Sequence, residues 1–408
     1  MPWKVPYSGI SNRLGLEEAE ALVHVLGQDI LMKGPTAQQF EREFAERIGV
    51  KHALAMTSCT TALFLAAQIL KLQAGDEVIT TPQTFWVTTW PMLARKCKIR
   101  FADIEPNTLN IDPNTIEPLI TEKTKAICVV HFGGQAVEMD AVMALAQKYN
   151  LRVIEDCAHT PGACYKNRHV GTFGDVGCFS FQSLKNMTTG EGGMLVTNDD
   201  KLYEYAARLG TLHMHGEMME RTDKRIGPYR EPEYYRDWHA QNAFNLDYVD
   251  GQFEVGNNFR MSDLQAAVGR VQLRKLDQNN DRRRAIAHRL NEGLRAIPGI
   301  TVQAERPYAP HIYHLYSFFY DPQVVGASKD EFIRHLEQVE GIQIVVRFFP
   351  VHLLAEFRAL GHQYGECPVA ERLYFENQMQ LPIYSHLTDE QIDHMIQGVR
   401  RAVEKLSA

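Results

Sequence analysis

No two cysteines in this sequence stand at the short spacing that a metal knuckle or a dithiol motif requires. The seven (59, 97, 128, 157, 164, 178 and 367) are scattered, most of them inside apolar runs. A free cysteine in such a run behaves as a small hydrophobe, which favours a reducing compartment over a disulfide framework. Positive charge is not in excess either. There are 43 Lys and Arg against 50 Asp and Glu, a net charge of −7, so a nucleic-acid partner is not expected. No apolar stretch approaches the length of a membrane-spanning helix. The first residues, MPWKVPYSGISNRLG, lack an apolar leader core and a cleavage pattern. Internal repeats and low-complexity tracts are missing. These absences lead to the expectation of a cytoplasmic protein whose partners include neither membrane nor nucleic acid.

What is present has the rhythm of an α/β protein. The runs EVIT (77–80), KIRFADI (98–104), KAICVVHF (125–132) and LRVIED (151–156) are short and rich in Ile and Val. Helical periods separate them, such as PMLARK and MDAVMALAQKYN (139–150). Strands alternating with helices predict βαβ units and a mostly parallel sheet. CFSF and GMLVT form a further pair of strand-like runs, and NDDKLYEYAARLG reads as a capped helix closed by Gly210. Beyond about residue 270 the pattern changes. A charged helix over 273–297 leads into HLYSFFY, KDEFIRHLEQVEG and IQIVVRF, and a last helix covers 388–406. The expected division is a large domain over 1–270 and a smaller α+β domain over 271–408.

In open α/β sheets, ligands bind beyond the carboxyl ends of the strands. Several polar residues stand at such ends: His131 after ICVV, Glu155 and Asp156 in RVIED, and Ser180 and Gln182 after the next run. A carboxylate there can also be a helix N-cap. Lys185 is set in CFSFQSLKNMTTGEGGMLVTND, one lysine among small and polar residues between two apolar segments. A lysine is ordinarily a solvated surface group. An amine grouped with an acid and a hydroxyl at strand ends suits instead a nucleophile toward a carbonyl.

Five segments in order make the chain similar to a known family. They are KGPTAQQFEREFAERIGVKHALAMTSCTTAL, VIEDCAHTPGA, FSFQSLKNMTTGEGGMLVTND, GNNFRMSDLQAAVGRVQLRKLD and LPIYSHLTDEQIDHMI. Together they resemble the sugar aminotransferases of the DegT/DnrJ/EryC1/StrS family, which are fold-type-I enzymes using pyridoxal 5'-phosphate. The resemblance covers nearly the whole chain and implies an aspartate-aminotransferase-like large domain.

The resemblance also implies roles. Lys185 would carry the cofactor and move a proton. Asp156 would pair with the ring nitrogen and keep it protonated, which makes the ring a better electron sink. His159 would stand near the phenolic oxygen, the alternative being a satisfied core histidine. Trp86 would stack on the ring, with Phe85 as the competing aromatic. The phosphate would be held by Ser58-Cys59-Thr60, where the family has Ser-Gly-Thr, and by Ser180 and Gln182, where the family has Ser and His. Asn258 would be donated across a homodimer to the partner's phosphate.

The implied reaction is amino transfer from glutamate or glutamine to a keto- or aldehydo-sugar, for surface polysaccharide, lipopolysaccharide or secondary-metabolite amino-sugar synthesis. A nucleotide-linked 4-keto-6-deoxy sugar and a free acidic octulosonate, aminated at carbon 8 for lipopolysaccharide, are both in view. A dehydratase of the same fold is the alternative, but its relatives replace the lysine with histidine. A non-catalytic sensor would have no need of Lys185 and Asp156. Residues 213–254, rich in Tyr, Arg, His and Glu, form a connector about twice the family's usual length. Long connectors of this kind are often lids, and this one is expected to be a substrate lid, an added dimer contact or a solvated surface flap.

Overall fold

A computed structural model of the protein describes residues 3–211 and 256–407. Between them it describes the backbone of four short strands, Arg225–Ile226, Tyr229–Arg230, Tyr248–Val249 and Gln252–Phe253. Apart from those strands, the connector expected over 213–254 lies outside the described residues.

The centre is a seven-stranded sheet. Its strands are β1 (His52–Met56), β2 (Glu77–Thr80), β3 (Lys98–Phe101), β4 (Thr124–Val130), β5 (Arg152–Asp156), β6 (Val176–Ser180) and β7 (Gly193–Thr197). The spatial order is β1-β7-β6-β5-β4-β2-β3. The strands β3, β2, β4, β5 and β6 are mutually parallel. β7 runs antiparallel to both β6 and β1, so the sheet is mostly parallel, as the alternation predicts. Both of its faces are covered. Ile127 and Val129 join one apolar cluster, while Ala126 and Cys128 join the other, because successive side chains leave opposite faces of a strand. The cysteines fit this core. All seven are free, and only Cys164 is not fully buried.

A second, three-stranded antiparallel sheet is made of Ile300–Val302, Tyr316–Tyr320 and Gln378–Leu381. It packs with helices Leu276–Leu294, Lys329–Gln338 and Asp389–Leu406 around Phe318, Phe332, Met379 and Met395. Val5, at the other end of the chain, is buried in the same cluster. No helix among the described residues is long and apolar enough to cross a membrane.

Three local expectations need correction. The charged helix over 273–297 is two helices, Asp263–Arg274 and Leu276–Leu294, which meet at Lys275. The break lets the first pack on helices Leu16–Leu26 and Pro35–Ile48 while the second packs on the C-terminal helix. Gly210 lies in the last turn of helix Asp200–Gly210, and Thr211 is the residue that ends it. IQIVVRF forms only isolated bridges, Ile342 to Val5 and Val345 to Gln380, because side-chain amides take part of its backbone hydrogen bonding.

Strand alternation also separates two neighbouring carboxylates. Asp156 faces the cluster side that opens toward a cavity, and Glu155 faces the other way into a closed knot. Glu155 accepts the N–H groups of Gly171, Phe173 and Gly174, each at 2.7 Å. Its remaining oxygen site meets His131 Nε2 at 3.1 Å, and His131 Nδ1 accepts from the Val137 N–H at 3.1 Å. His131 and Glu155 are therefore structural rather than part of a shared crevice. Cys157 lies close to this pair, but the Glu155 lone pairs are already directed at donors. Glu155→Gln turns one acceptor into a donor that faces buried donors. It is expected to cost about 3 kcal/mol of unfolding free energy, measured as a lower midpoint in urea with unchanged slope.

Candidate active site

The strand directions put six carboxyl ends on one side of the sheet. β1 opposes β7, which opposes β6, so β1 points the same way as the parallel strands. The residues following β1, β2, β4, β5 and β6 consequently converge. They enclose a cavity of about 480 Å³ lined by Ser58, Cys59, Thr60, Asp156, His159, Ser180, Gln182 and Lys185. Thr84, Phe85, Val87, Thr88, Glu191, His314, Arg347 and Phe348 complete the main part of its wall.

Lys185 is set by a tight turn. Its N–H donates to the Gln182 carbonyl at 2.8 Å, and Gln182 Oε1 accepts the Leu184 N–H at 2.8 Å. Gln182 thus shapes the turn that presents the lysine as well as lining the cavity. The flanking residues are tied down too. The Ser183 carbonyl accepts the Ser11 N–H at 3.0 Å, and the Asn186 carbonyl accepts from Asn12 at 2.6 Å. Lys185 is partly accessible through the cavity, yet protein surrounds it closely. Burial pushes its amine down to about 8, against the upward pull of Asp156 and Cys59, and Arg347 adds a smaller downward push.

Asp156 is 4% exposed. Burial raises its carboxyl above the ordinary range, and the hydrogen bonds from the Ala158 N–H at 3.0 Å and Thr88 at 2.8 Å oppose that rise. His159 is buried, and its Nδ1 accepts from the Gly133 N–H at 3.3 Å. Its ring stacks on His314 at 4.4 Å and lies nearly parallel to Phe348 at 5.9 Å. Burial, with the charges of Lys185 and Arg347, holds His159 well below its ordinary value and therefore neutral.

Helix Cys59–Ile69 begins in the cavity wall. Ser58 caps it by accepting the Thr61 N–H at 3.1 Å. The first helical amides have no intrahelical acceptor, so those of Cys59 and Thr60 are directed outward. The turn is pressed from behind: a Cβ at Gly193 would come within 2.3 Å of Ser58 and 2.5 Å of Cys59 backbone atoms. Cysteine replaces the expected glycine without disturbing the helix, because its Sγ turns inward to 3.5 Å from the Cys178 carbonyl.

These residues fit a phosphorylated aldehyde such as pyridoxal phosphate. A capped helix N-terminus with nearby hydroxyls of Ser58, Thr60 and Ser180 suits a phosphate. A buried carboxylate suits a protonated ring nitrogen, and a buried amine of lowered basicity suits an aldehyde carbon.

Two expected residues are not brought into the cavity. Trp86 lies against Trp90, ring centres 3.8 Å apart, and against Phe85 at 5.0 Å. Phe85 faces the cavity instead, because the short helix Trp86–Thr88 turns the following ring toward the apolar cluster. Asn258 is exposed beside β1, where Arg260 Nε donates to its Oδ1 at 2.8 Å. It does not line its own chain's cavity. Sequence reasoning missed His314, Arg347 and Phe348, which arrive from the second sheet's side. An arginine in the apolar run IQIVVRF was the one available signal.

The amine's environment has a measurable consequence. In cofactor-free protein, reaction of Lys185 with trinitrobenzenesulfonate should titrate with a midpoint near 8 rather than 10.5, using Lys185→Ala as the blank. Asp156→Asn removes an upward pull, so the midpoint should fall further. A midpoint at the ordinary lysine value would contradict this account.

Comparison with known proteins agrees with the geometry. The model of the DegT/DnrJ/EryC1/StrS aminotransferase family matches residues 12–400. The chain is 37% identical over 405 residues to the spore coat polysaccharide biosynthesis protein SpsC of Bacillus subtilis (strain 168), covering 99% of this chain and 97% of that protein. Among solved structures, an aminotransferase from Psychrobacter cryohalolentis superposes with a TM-score of 0.85 at 31% identity, over 99% of this chain and 100% of that one. Helicobacter pylori PseC, an aminotransferase involved in the biosynthesis of pseudoaminic acid, superposes with a TM-score of 0.84 at 27% identity, over 98% and 99% of the two chains. With a matching family model over nearly its whole length and the same α/β fold, this chain belongs to the DegT/DnrJ/EryC1/StrS family of pyridoxal-phosphate-dependent sugar aminotransferases.

Proposed function

We propose that this protein binds pyridoxal 5'-phosphate and transfers an amino group from glutamate or glutamine to a keto- or aldehydo-sugar destined for a surface polysaccharide. The observation that carries this reading is the closely enclosed amine of Lys185 sharing one cavity with the buried carboxylate of Asp156. When bound, the cofactor supplies an electron-withdrawing ring and a carbonyl carbon through which nitrogen passes from donor to acceptor.

The chain's own residues divide the remaining work. Lys185 would hold the cofactor through its amine and, as a free amine, would move a proton at the substrate carbon. The low basicity of that amine leaves a usable neutral fraction near neutral pH. Asp156 holds a proton at the ring nitrogen, and the Thr88 and Ala158 hydrogen bonds keep its carboxylate aimed. Neutral His159 would orient the ring's phenolic oxygen without adding a charge. The Cys59 and Thr60 amides with Ser180 and Gln182 would take the phosphate. Phe85 would cover the ring, where Trp86 was expected.

Asn258 serves the partner subunit's phosphate in a homodimer with composite sites. Its exposure away from its own cavity supports that reading. The names of the relatives support polysaccharide and amino-sugar substrates, and both a nucleotide-linked 4-keto-6-deoxy sugar and an acidic octulosonate remain acceptors to assay. The intact lysine disfavours the dehydratase.

The purified protein should show a violet absorbance band that borohydride abolishes, with the cofactor's mass fixed at Lys185 in a tryptic peptide. Lys185→Ala should retain non-covalent cofactor and give no turnover. Asp156→Asn should lower turnover by about two to three orders of magnitude. Asn258→Ala should weaken cofactor retention by about 1–3 kcal/mol. A mixture of Asn258→Ala and Lys185→Ala subunits should regain activity, since one site of the heterodimer carries neither lesion. Heterodimers without regained activity would show that Asn258 serves no partner site.

A further inference from the structure

Two polar residues of one helix reach into the seam beside Lys185. Asn280 and Arg283 stand three apart near the start of helix Leu276–Leu294, so they share a face. Further along, Ile286, Leu290 and Leu294 of the same helix belong to the apolar cluster of the second sheet. Asn280 and Arg283 are also buried, but their partners lie on other segments. Asn280 Oδ1 accepts from Asn186 Nδ2 at 2.9 Å, and Asn280 Nδ2 donates to the Pro161 carbonyl at 3.0 Å. Asn186 directly follows Lys185, and Pro161 stands two residues after His159. Arg283 donates to the carbonyls of Tyr313 at 2.9 Å and Ile383 at 3.2 Å, and to Ser11 Oγ. Ser11 passes the contact on, because its N–H donates to the Ser183 carbonyl at 3.0 Å, two residues before Lys185. The helix therefore reaches the lysine turn from both sides, directly through Asn280 and by way of Ser11 through Arg283.

Stability is a poor account of this arrangement. Among the described residues no carboxylate pairs with Arg283, so its guanidinium carries the cost of burial without a counter-charge. Arg283 Nε, Asn186 Oδ1 and Asn12 Oδ1 are buried with no hydrogen-bond partner among the described residues. Apolar side chains of like volume would fill the seam at lower cost. What the polar groups supply is position. Any shift of the lysine turn breaks a buried hydrogen bond and leaves two groups unpaired. The loop after His159 is pressed onto the same side chain, since a Cβ at Gly162 would come within 2.9 Å of Asn280 Nδ2.

We propose that Asn280 and Arg283 are positioning residues for Lys185, so that the helix packed on the second sheet sets where the amine stands. Neither touches the cavity's contents; both act through the residues that flank the lysine. Their bearing on turnover rests on the transamination reading.

Ser11→Ala removes the acceptor for Arg283 and keeps the Ser11 backbone hydrogen bonds to Ser183 and Ser385. Asn280→Ser shortens the other contact. The first measurement is the titration of the Lys185 amine with trinitrobenzenesulfonate in cofactor-free protein, with Lys185→Ala added to each background as the blank. Burial holds that amine at about 8, against the pull of Asp156 and Cys59 and with a push from Arg347. A turn no longer held lets water reach the amine, and the weakened pull of Asp156 offsets part of the rise. The midpoint should move up to about 9 in the double variant. The second measurement is turnover of the cofactor-loaded enzyme, which should fall by on the order of 10- to 100-fold with half-saturation by glutamate unchanged. Residues of purely structural importance would lower the urea midpoint of unfolding and leave the amine of the folded protein where it was. An amine midpoint within about 0.3 of the wild-type value in the folded variants overturns the proposal. So does turnover within about twofold of wild type despite a moved midpoint. If Asn280→Ser does not fold, Ser11→Ala decides alone. A wild-type protein without the violet band or the borohydride-fixed mass overturns the transamination reading instead, while the amine titration, which needs no cofactor, still judges the positioning.

Discussion

An amine and a carboxylate closely surrounded by protein at one end of a sheet are the constraint on which the rest of this structure depends. Each is expensive to bury alone. Lys185 and Asp156 offset part of each other's cost, and the remainder appears as a lysine of lowered basicity and an aspartic acid of raised pKa. That mutual adjustment requires a dry wall, which the sheet supplies. Asp156 ends a strand whose inner residues are fully buried, and Lys185 follows the next strand over.

Holding the two groups in register calls on distant parts of the chain. Ser11 and Asn12 bind the residues on either side of Lys185, and Asn186 is held in turn by Asn280 at 2.9 Å and the Ile312 carbonyl at 3.0 Å. Gln83, Gln378 and Gln380 bring the two sheets together on Arg347. Most of these partners are buried amides. Their hydrogen bonds add little net stability each, but they penalise any displacement that would leave a polar group unpaired. The cavity is therefore rigid where its chemistry is placed, with lysine, aspartate and arginine all fixed through their backbones.

Glu155 and Asp156 show how much of this is a matter of face. They are adjacent, chemically alike, and opposite in use. One closes a structural knot with four donors, and the other opens into the cavity. The two-residue period of a strand decides between them, and the decision is invisible until it is known which side of the sheet the loops and helices leave open.

The fold class, the parallel strands and the strand-end placement of Asp156, Ser180, Gln182 and Lys185 were legible in the sequence, because each depends on short-range order, whereas His159 came only with the family resemblance. Runs of β-branched residues alternate with helical periods, and polar residues end the strands. The five ordered segments that resemble an aminotransferase family carried the cofactor with them. Which ring faces the cavity was not legible. Phe85 and Trp86 are neighbours in one turn, and a single short helix sets their directions. Nor were Arg347 and His314 legible as cavity residues, since they stand more than a hundred residues beyond Lys185 and reach it only when the second sheet packs against the first. Sequence alone determined what is local: strand, cap, turn and the order of polar ends. Tertiary structure decided the direction of each side chain and the meeting of distant segments, because those follow from packing between surfaces that no stretch of chain contains by itself.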